Sequence, residues 1–154
     1  MNEKRLLDSI GLKGVLTIEV RDAATGALLR TETVSNLTVL AGRNLLRDFL
    51  AGDAVTGLTH FAVGLGTTAA DAADTTLETE EFRDVTTQFV DDAGKLTVKF
   101  YLPSGAANGH TLTEAGIFTA AVAGTMYNRA VHAGIAKTVN IALIYSWDLT
   151  FTAV

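Results

Sequence analysis

The residue types that could do chemistry gather in one stretch, His60–Glu80, HFAVGLGTTAADAADTTLETE. It opens with apolar residues at alternate positions, Phe61, Val63 and Leu65. Two glycines, Gly64 and Gly66, lie among them, and Thr67 and Thr68 follow. A glycine-rich turn after a strand can cradle a phosphate, but a P-loop needs GxxxxGK[ST], whose lysine reaches the phosphates. The dinucleotide fingerprint needs a third glycine and a helix within a βαβ unit. Neither pattern is here, and Thr67–Glu80 contains no lysine, histidine or aromatic residue. Gly64 and Gly66 are therefore read as permitting a bulge or a close backbone approach at a strand end.

Asp71, Asp74, Glu78, Glu80 and Glu81 form an acidic cluster in and after the same run. Calcium takes such oxygen ligands, but the twelve-residue EF-hand order of ligands and glycine does not occur. Two carboxylates across a cleft would suit glycoside hydrolysis, yet no Trp or Tyr lies near to stack a sugar. A solvated loop is expected, with Asp74 or Thr75–Thr76 capping a turn through side-chain to backbone bonds. His60, His110 and His132 stand apart, with no HxH or HExxH spacing that would mark a zinc site. Ser9, Ser35, Ser104 and Ser146 sit in no GxSxG elbow. No catalytic, cofactor-binding or metal-ligating residue is expected.

Composition narrows the classes further. A chain of 154 residues suggests one domain with a core of its own. There is no cysteine, so disulfides, zinc–thiolate sites and thiol catalysis do not operate. The net charge is −5, and Lys4–Arg5 is the only adjacent basic pair, so nucleic acid is not an expected partner. No apolar run is long enough to span a membrane, and the N-terminus lacks a secretory h-region, so a soluble protein made in the cytoplasm is expected. Charged residues are only 19% against a usual value of about 25%. That deficit suggests surface hidden against other subunits.

Alternation dominates the rest. Val15–Val20 places Leu16, Ile18 and Val20 on one face, and Leu28–Val34 returns after an Asp22–Gly26 turn. Leu40–Leu50 has Leu45, Leu46, Phe49 and Leu50 at helical spacing, with Gly52 placed to end a helix at about 41–51. Strands are expected at Glu81–Val90, Leu96–Leu102, Thr111–Thr119 and Met126–Val131, with a hairpin turn at Asp91–Gly94. From Val139 the odd positions to Phe151 are all large and apolar. That strand would span about 45 Å and bend between two sheets or extend along a neighbour. Tyr145, Trp147 and Phe151 on it are read as core, with part of the face open to a subunit contact. The expected architecture is all-β with one short helix, an antiparallel β-sandwich or jelly-roll-like domain over 14–154, preceded by an arm at 1–13.

Four segments carry a resemblance: Asn36–Gly52, His60–Glu80, Gly109–Phe118 and Ile135–Phe151. The order of Asn36, Gly42 and Asn44, then VGLGTT (Val63–Thr68), DTTL (Asp74–Leu77), TLTEAGIF (Thr111–Phe118) and the closing Trp147–Phe151 resembles small virion structural proteins of tailed bacteriophages and prophages. These are tail-fibre-like or decoration-like proteins, and the likeness covers about residues 13–152. Many of them carry a proline after GTT, where Ala69–Ala70 stand here. The resemblance implies no catalytic residues.

It implies a non-enzymatic virion protein, assembled in the host cytoplasm, that attaches to the tail, baseplate or tail fibre. Its partners would be other virion proteins and further copies of itself, with a trimer favoured. The alternatives are a capsid decoration protein clamping major-capsid subunits, with an ordered arm at Met1–Lys13, and a carbohydrate- or receptor-binding module. Gly64, Gly66, Thr67, Thr68, Asp71 and Asp74 are the expected subunit-contact loop.

Overall fold

The computed structural model describes residues 10–153. Ten of its eleven elements are strands: β1 (Ile10–Asp22), β2 (Leu28–Ser35), β3 (Leu37–Thr38), β4 (His60–Gly64), β5 (Glu80–Val85), β6 (Gln88–Asp92), β7 (Lys95–Leu102), β8 (Thr111–Phe118), β9 (Met126–Ala136) and β10 (Ile141–Ala153). The helix α1 (Leu40–Ala51) lies between β3 and β4. The strands form two five-stranded antiparallel sheets, β2-β1-β10-β7-β6 and β3-β9-β8-β4-β5. This is the β-sandwich that the alternating pattern predicts.

Its core comes from the alternation itself. Leu16 and Ile18 on β1 lie opposite Trp147 and Tyr145 on β10, and all four are fully buried. Val98 and Phe100 complete the row from β7. Phe61 on β4 reaches across from the second sheet and stacks on Phe100 at 5.0 Å between ring centroids. Tyr145 and Trp147 are thus core. Phe151, two strand repeats beyond Trp147, is 38% exposed at the end of the sheet.

Several boundaries differ from the expectation, each for a visible reason. The segment Glu81–Val90 is two strands: β5 belongs to the second sheet and β6 to the first, and Thr86–Thr87 carries the chain between them. No proline or glycine stands between the two strands, so the sequence carries no turn signal there. β10 neither bends between sheets nor leaves the fold, since it pairs along its whole length with β1. That pairing draws Ile10–Lys13 into the sheet, so these four residues are strand instead of arm. The remainder of the expected arm lies outside the described residues. Val139 falls before β10 and is exposed.

Helix α1 lies directly on β9 because Gly42 has no side chain, and a Cβ there would sit 2.1 Å from the Tyr127 carbonyl oxygen. Gly52 ends the helix in the left-handed region at φ 85°, donating to the Phe49 carbonyl. The apolar stripe read from the sequence is only partly used. Leu46 packs on the core, while Phe49 and Leu50 are 67% and 79% exposed. At the opposite crossing, Lys137 is buried and donates through Nζ to Ser104 O, Asn108 Oδ1 and Thr138 O. It fixes the loop that carries the chain from β7 to β8.

Candidate functional site: an anchored loop on the second sheet

The loop between β4 and β5 is held from beneath by two buried charges. Glu114 on β8 lies opposite Gly64 on β4, and Arg129 on β9 lies opposite Gly116. The two charged residues are therefore diagonal neighbours on one face of the sheet, within reach of each other. Arg129 Nε donates to Glu114 Oε2 at 2.9 Å, with Glu114 fully buried and Arg129 nearly so. Isolated charges at such depth would be costly, and each is stabilised here by the other and by further hydrogen bonds.

Those further bonds all lead into the loop. Glu114 Oε1 accepts from the Gly66 and Thr79 amides at 2.9 and 2.8 Å. Its Oε2 accepts from the Glu78 amide at 3.0 Å. Arg129 Nη1 donates to Asp74 Oδ2 at 2.8 Å, and Nη2 donates to the Thr68 carbonyl at 3.0 Å. Glu78 accepts from the Thr68 amide and hydroxyl at 2.9 and 2.8 Å, which closes the loop on itself. Asp74 Oδ2 also accepts from the Asp71 amide, and Asp71 Oδ1 from the Ala73 amide. Beneath the loop, Leu77 packs with Ala62, Phe118 and Met126 in a small second core.

The titration behaviour follows from this wiring. Burial disfavours the Arg129 charge, but bonds to Asp74 and Glu114 outweigh it and hold the guanidinium above its ordinary value. The Thr68 amide, and then its hydroxyl, hold the Glu78 carboxyl below its ordinary value. His132, buried on β9, is pushed down by desolvation, and its ring meets Tyr145 edge-on at 6.4 Å.

Gly64 and Gly66 are glycines for reasons of space. A Cβ on Gly64 would lie 2.3 Å from the Thr79 carbonyl oxygen and 2.6 Å from Glu114 Oε1. One on Gly66 would lie 2.5 Å from Glu78 Cβ and 2.6 Å from Glu114 Oε1. Both glycines have negative φ, so the close approach of the Glu114 carboxylate selects them. A bulge also falls between Val63 and Gly64. Thr67, Thr68 and Asp71 are exposed, while Asp74 is half-buried against Arg129. The cluster read as a solvated acidic loop is exposed at Asp71, Glu78 and Glu80, and Asp74 caps a turn at the Asp71 amide as expected, but its carboxylates also have partners. Glu80 pairs with Arg83 and Glu81 with His110, while Asp74 and Glu78 converge on Arg129. A polar hollow of about 420 Å³ lies among Thr68, Asp74, Thr76, Glu78 and Arg129.

The anchor residues Glu114 and Arg129 are absent from the sequence-derived site. Each is a lone charge inside a strand of small or apolar residues, LTEAGIF and MYNRAV, on consecutive strands and of opposite sign. That pairing of signs is the signal that marks them. The three histidines serve different strands and turns, and no three His, Asp or Glu side chains among the described residues are grouped to hold a metal ion. No protein-family description matches the chain, and no curated protein or solved structure matches it either.

Proposed function

We propose that this chain is a non-enzymatic structural protein of a tailed bacteriophage particle, attached to the tail, baseplate or tail fibre and working through association of several copies. The observation that carries this reading is the convergence on Glu114. Of the segments that bear the resemblance, VGLGTT and DTTL lie close together in one loop and TLTEAGIF more than thirty residues later, yet they meet as one mechanical anchor. Gly66 and Thr68, Asp74 and Leu77, and Glu114 all hold the loop to the sheet. The polar residues of these motifs are engaged in holding a surface loop in one shape, the demand that a repeated particle contact makes of its subunits.

The carbohydrate reading gains nothing from the geometry. Its supporting carboxylates are engaged, with Asp71 accepting from the Ala73 amide and Asp74 bound to Arg129 and the Asp71 amide. An asparagine at Asp74 would disturb the loop before it tested any sugar. The assembly reading is tested by gold-labelled antibody against the protein, applied to intact particles purified from lysed host cells. Label at the tail supports the reading, label on the head moves the protein to capsid decoration, and unlabelled particles refute both.

A further inference from the structure

We propose that the apolar groove between α1 and the first sheet is a contact between two copies of this chain, each copy's Phe49 and Leu50 seated in the groove of the other. The inference deepens the assembly reading above and rests on it for the supposition that the chain works in more than one copy. Helix α1 stands over β6, β7 and β10 without closing on them. Leu45, Leu46 and Phe49 from the helix face Phe89, Leu96 and Phe151 from the strands across a hollow of about 260 Å³. Phe89 lies opposite the core residue Val98, and Phe151 follows the core residue Leu149 at strand spacing, so the hollow continues the apolar inner face of the sheet.

The rim of that hollow is apolar and open. Phe49, Phe89 and Phe151 there are 67%, 47% and 38% exposed, and Leu50, next to Phe49 but outside the lining, is 79% exposed. Together they present apolar surface on the order of 400 Å², at the size that marks an interaction site on a soluble domain. A standard interface buries about 800 Å² per partner, a little over half of it apolar, so the patch supplies what one side of a dimer requires. A hollow and a protruding apolar pair lie side by side. A two-fold axis between them lets each copy fill the other.

Charge points to the same partner. Arg43 lies on the helix stripe of Leu46 and Leu50, three and seven residues on, and forms no ion pair among the described residues. Asp91 shares the Phe89 face of β6 and likewise forms none among them. Laying the helix of one copy over β6 of the other brings Arg43 to the acidic end of that strand, Asp91 and Asp92, twice across the axis. Pairing β6 with β6 edge to edge would instead set these aspartates against each other. The contact gives a dimer in place of the trimer that the resemblance implies.

Size-exclusion chromatography with light scattering on the full chain tests this. The expected mass is twice 16.2 kDa. Phe49→Asp and Leu50→Asp should each weaken the dimer about thirtyfold or more while leaving far-UV circular dichroism unchanged, because both side chains are exposed in the single copy. Arg43→Asp should weaken it too, and adding Asp91→Arg should restore it. A dimer that survives Phe49→Asp, or a charge swap that fails to restore it, overturns the contact. A monomer at high concentration overturns it as well. So does a monomer in which removing residues 1–9 newly opens the groove to an apolar dye, since that assigns the groove to those residues. Antibody labelling of particles decides the assembly reading separately. A monomer that still labels tails refutes only the groove contact, and a dimer absent from particles refutes only the assembly reading.

Discussion

Arg129→Met removes one charge from the buried pair and leaves the other in place. Methionine fills much of the aliphatic volume, so the change is mainly electrostatic. Glu114 would then lie fully buried with its carboxylate facing the Gly66, Glu78 and Thr79 amides but no cation. Breaking a buried ion pair from one side costs about 3–5 kcal/mol. The three amide bonds remain and are strengthened by the carboxylate charge, which sets the expected loss at the lower end, about 3 kcal/mol. For a domain of this size that lowers Tm by about 6–12 °C. Urea unfolding should show a lower midpoint at unchanged slope, and limited proteolysis should newly cut within 67–79. Adding Glu114→Gln keeps an acceptor for the amides without the buried charge. The double variant should therefore be more stable than the sum of the two single losses by about 1–3 kcal/mol. A loss below about 1 kcal/mol for Arg129→Met, or strict additivity, would falsify the anchor.

Gly66→Ala forces a methyl against Glu114 Oε1 and Glu78 Cβ, at 2.6 and 2.5 Å. It should cost about 1–3 kcal/mol by thermal unfolding, whereas an unchanged Tm would show that the loop does not hold the carboxylate there. Lys137→Met strips a donor from Asn108 Oδ1 and from the Ser104 and Thr138 carbonyls. The expected loss is about 1–3 kcal/mol with faster amide exchange across 103–110, and exchange confined to other segments would refute the assignment. His132 is held neutral by burial, so its folded pKa lies below its unfolded value of 6.5. As pH falls through that interval the unfolded state takes up the proton first and stability declines; above 6.5 the effect is absent. His132→Phe should flatten Tm between about pH 7 and pH 5, and a profile as steep as that of the parent would count against the buried imidazole as its source.

The fold was legible wherever one face of a strand met the core. Leu16, Ile18, Tyr145 and Trp147 alternate legibly because most of their solvent-side neighbours, Thr17, Glu19, Ser146 and Asp148, are small or polar. The β5–β6 crossing was hidden, since Phe82 packs on the core from one sheet, Phe89 is half exposed on the other, and no proline or glycine separates them. Helix α1 was visible in its spacing, but its exposed end was not. A stripe of Leu45, Leu46, Phe49 and Leu50 reads alike whether it meets a core or a partner.

The loop was legible as chemistry withheld: glycines and threonines without the lysine a phosphate requires. Its acidic residues looked solvated because their cation, Arg129, stands 55 residues after Asp74 and acts from another strand. Sequence reading locates glycines but not what presses against them. Here it is the Glu114 carboxylate, opposite Gly64 across a ladder that only the fold reveals.

Immunogold labelling of intact, purified particles decides whether this protein is part of the virion. Regular label is expected at the tail or baseplate of each particle. Particles without label, beside free protein in the same lysate, would contradict it.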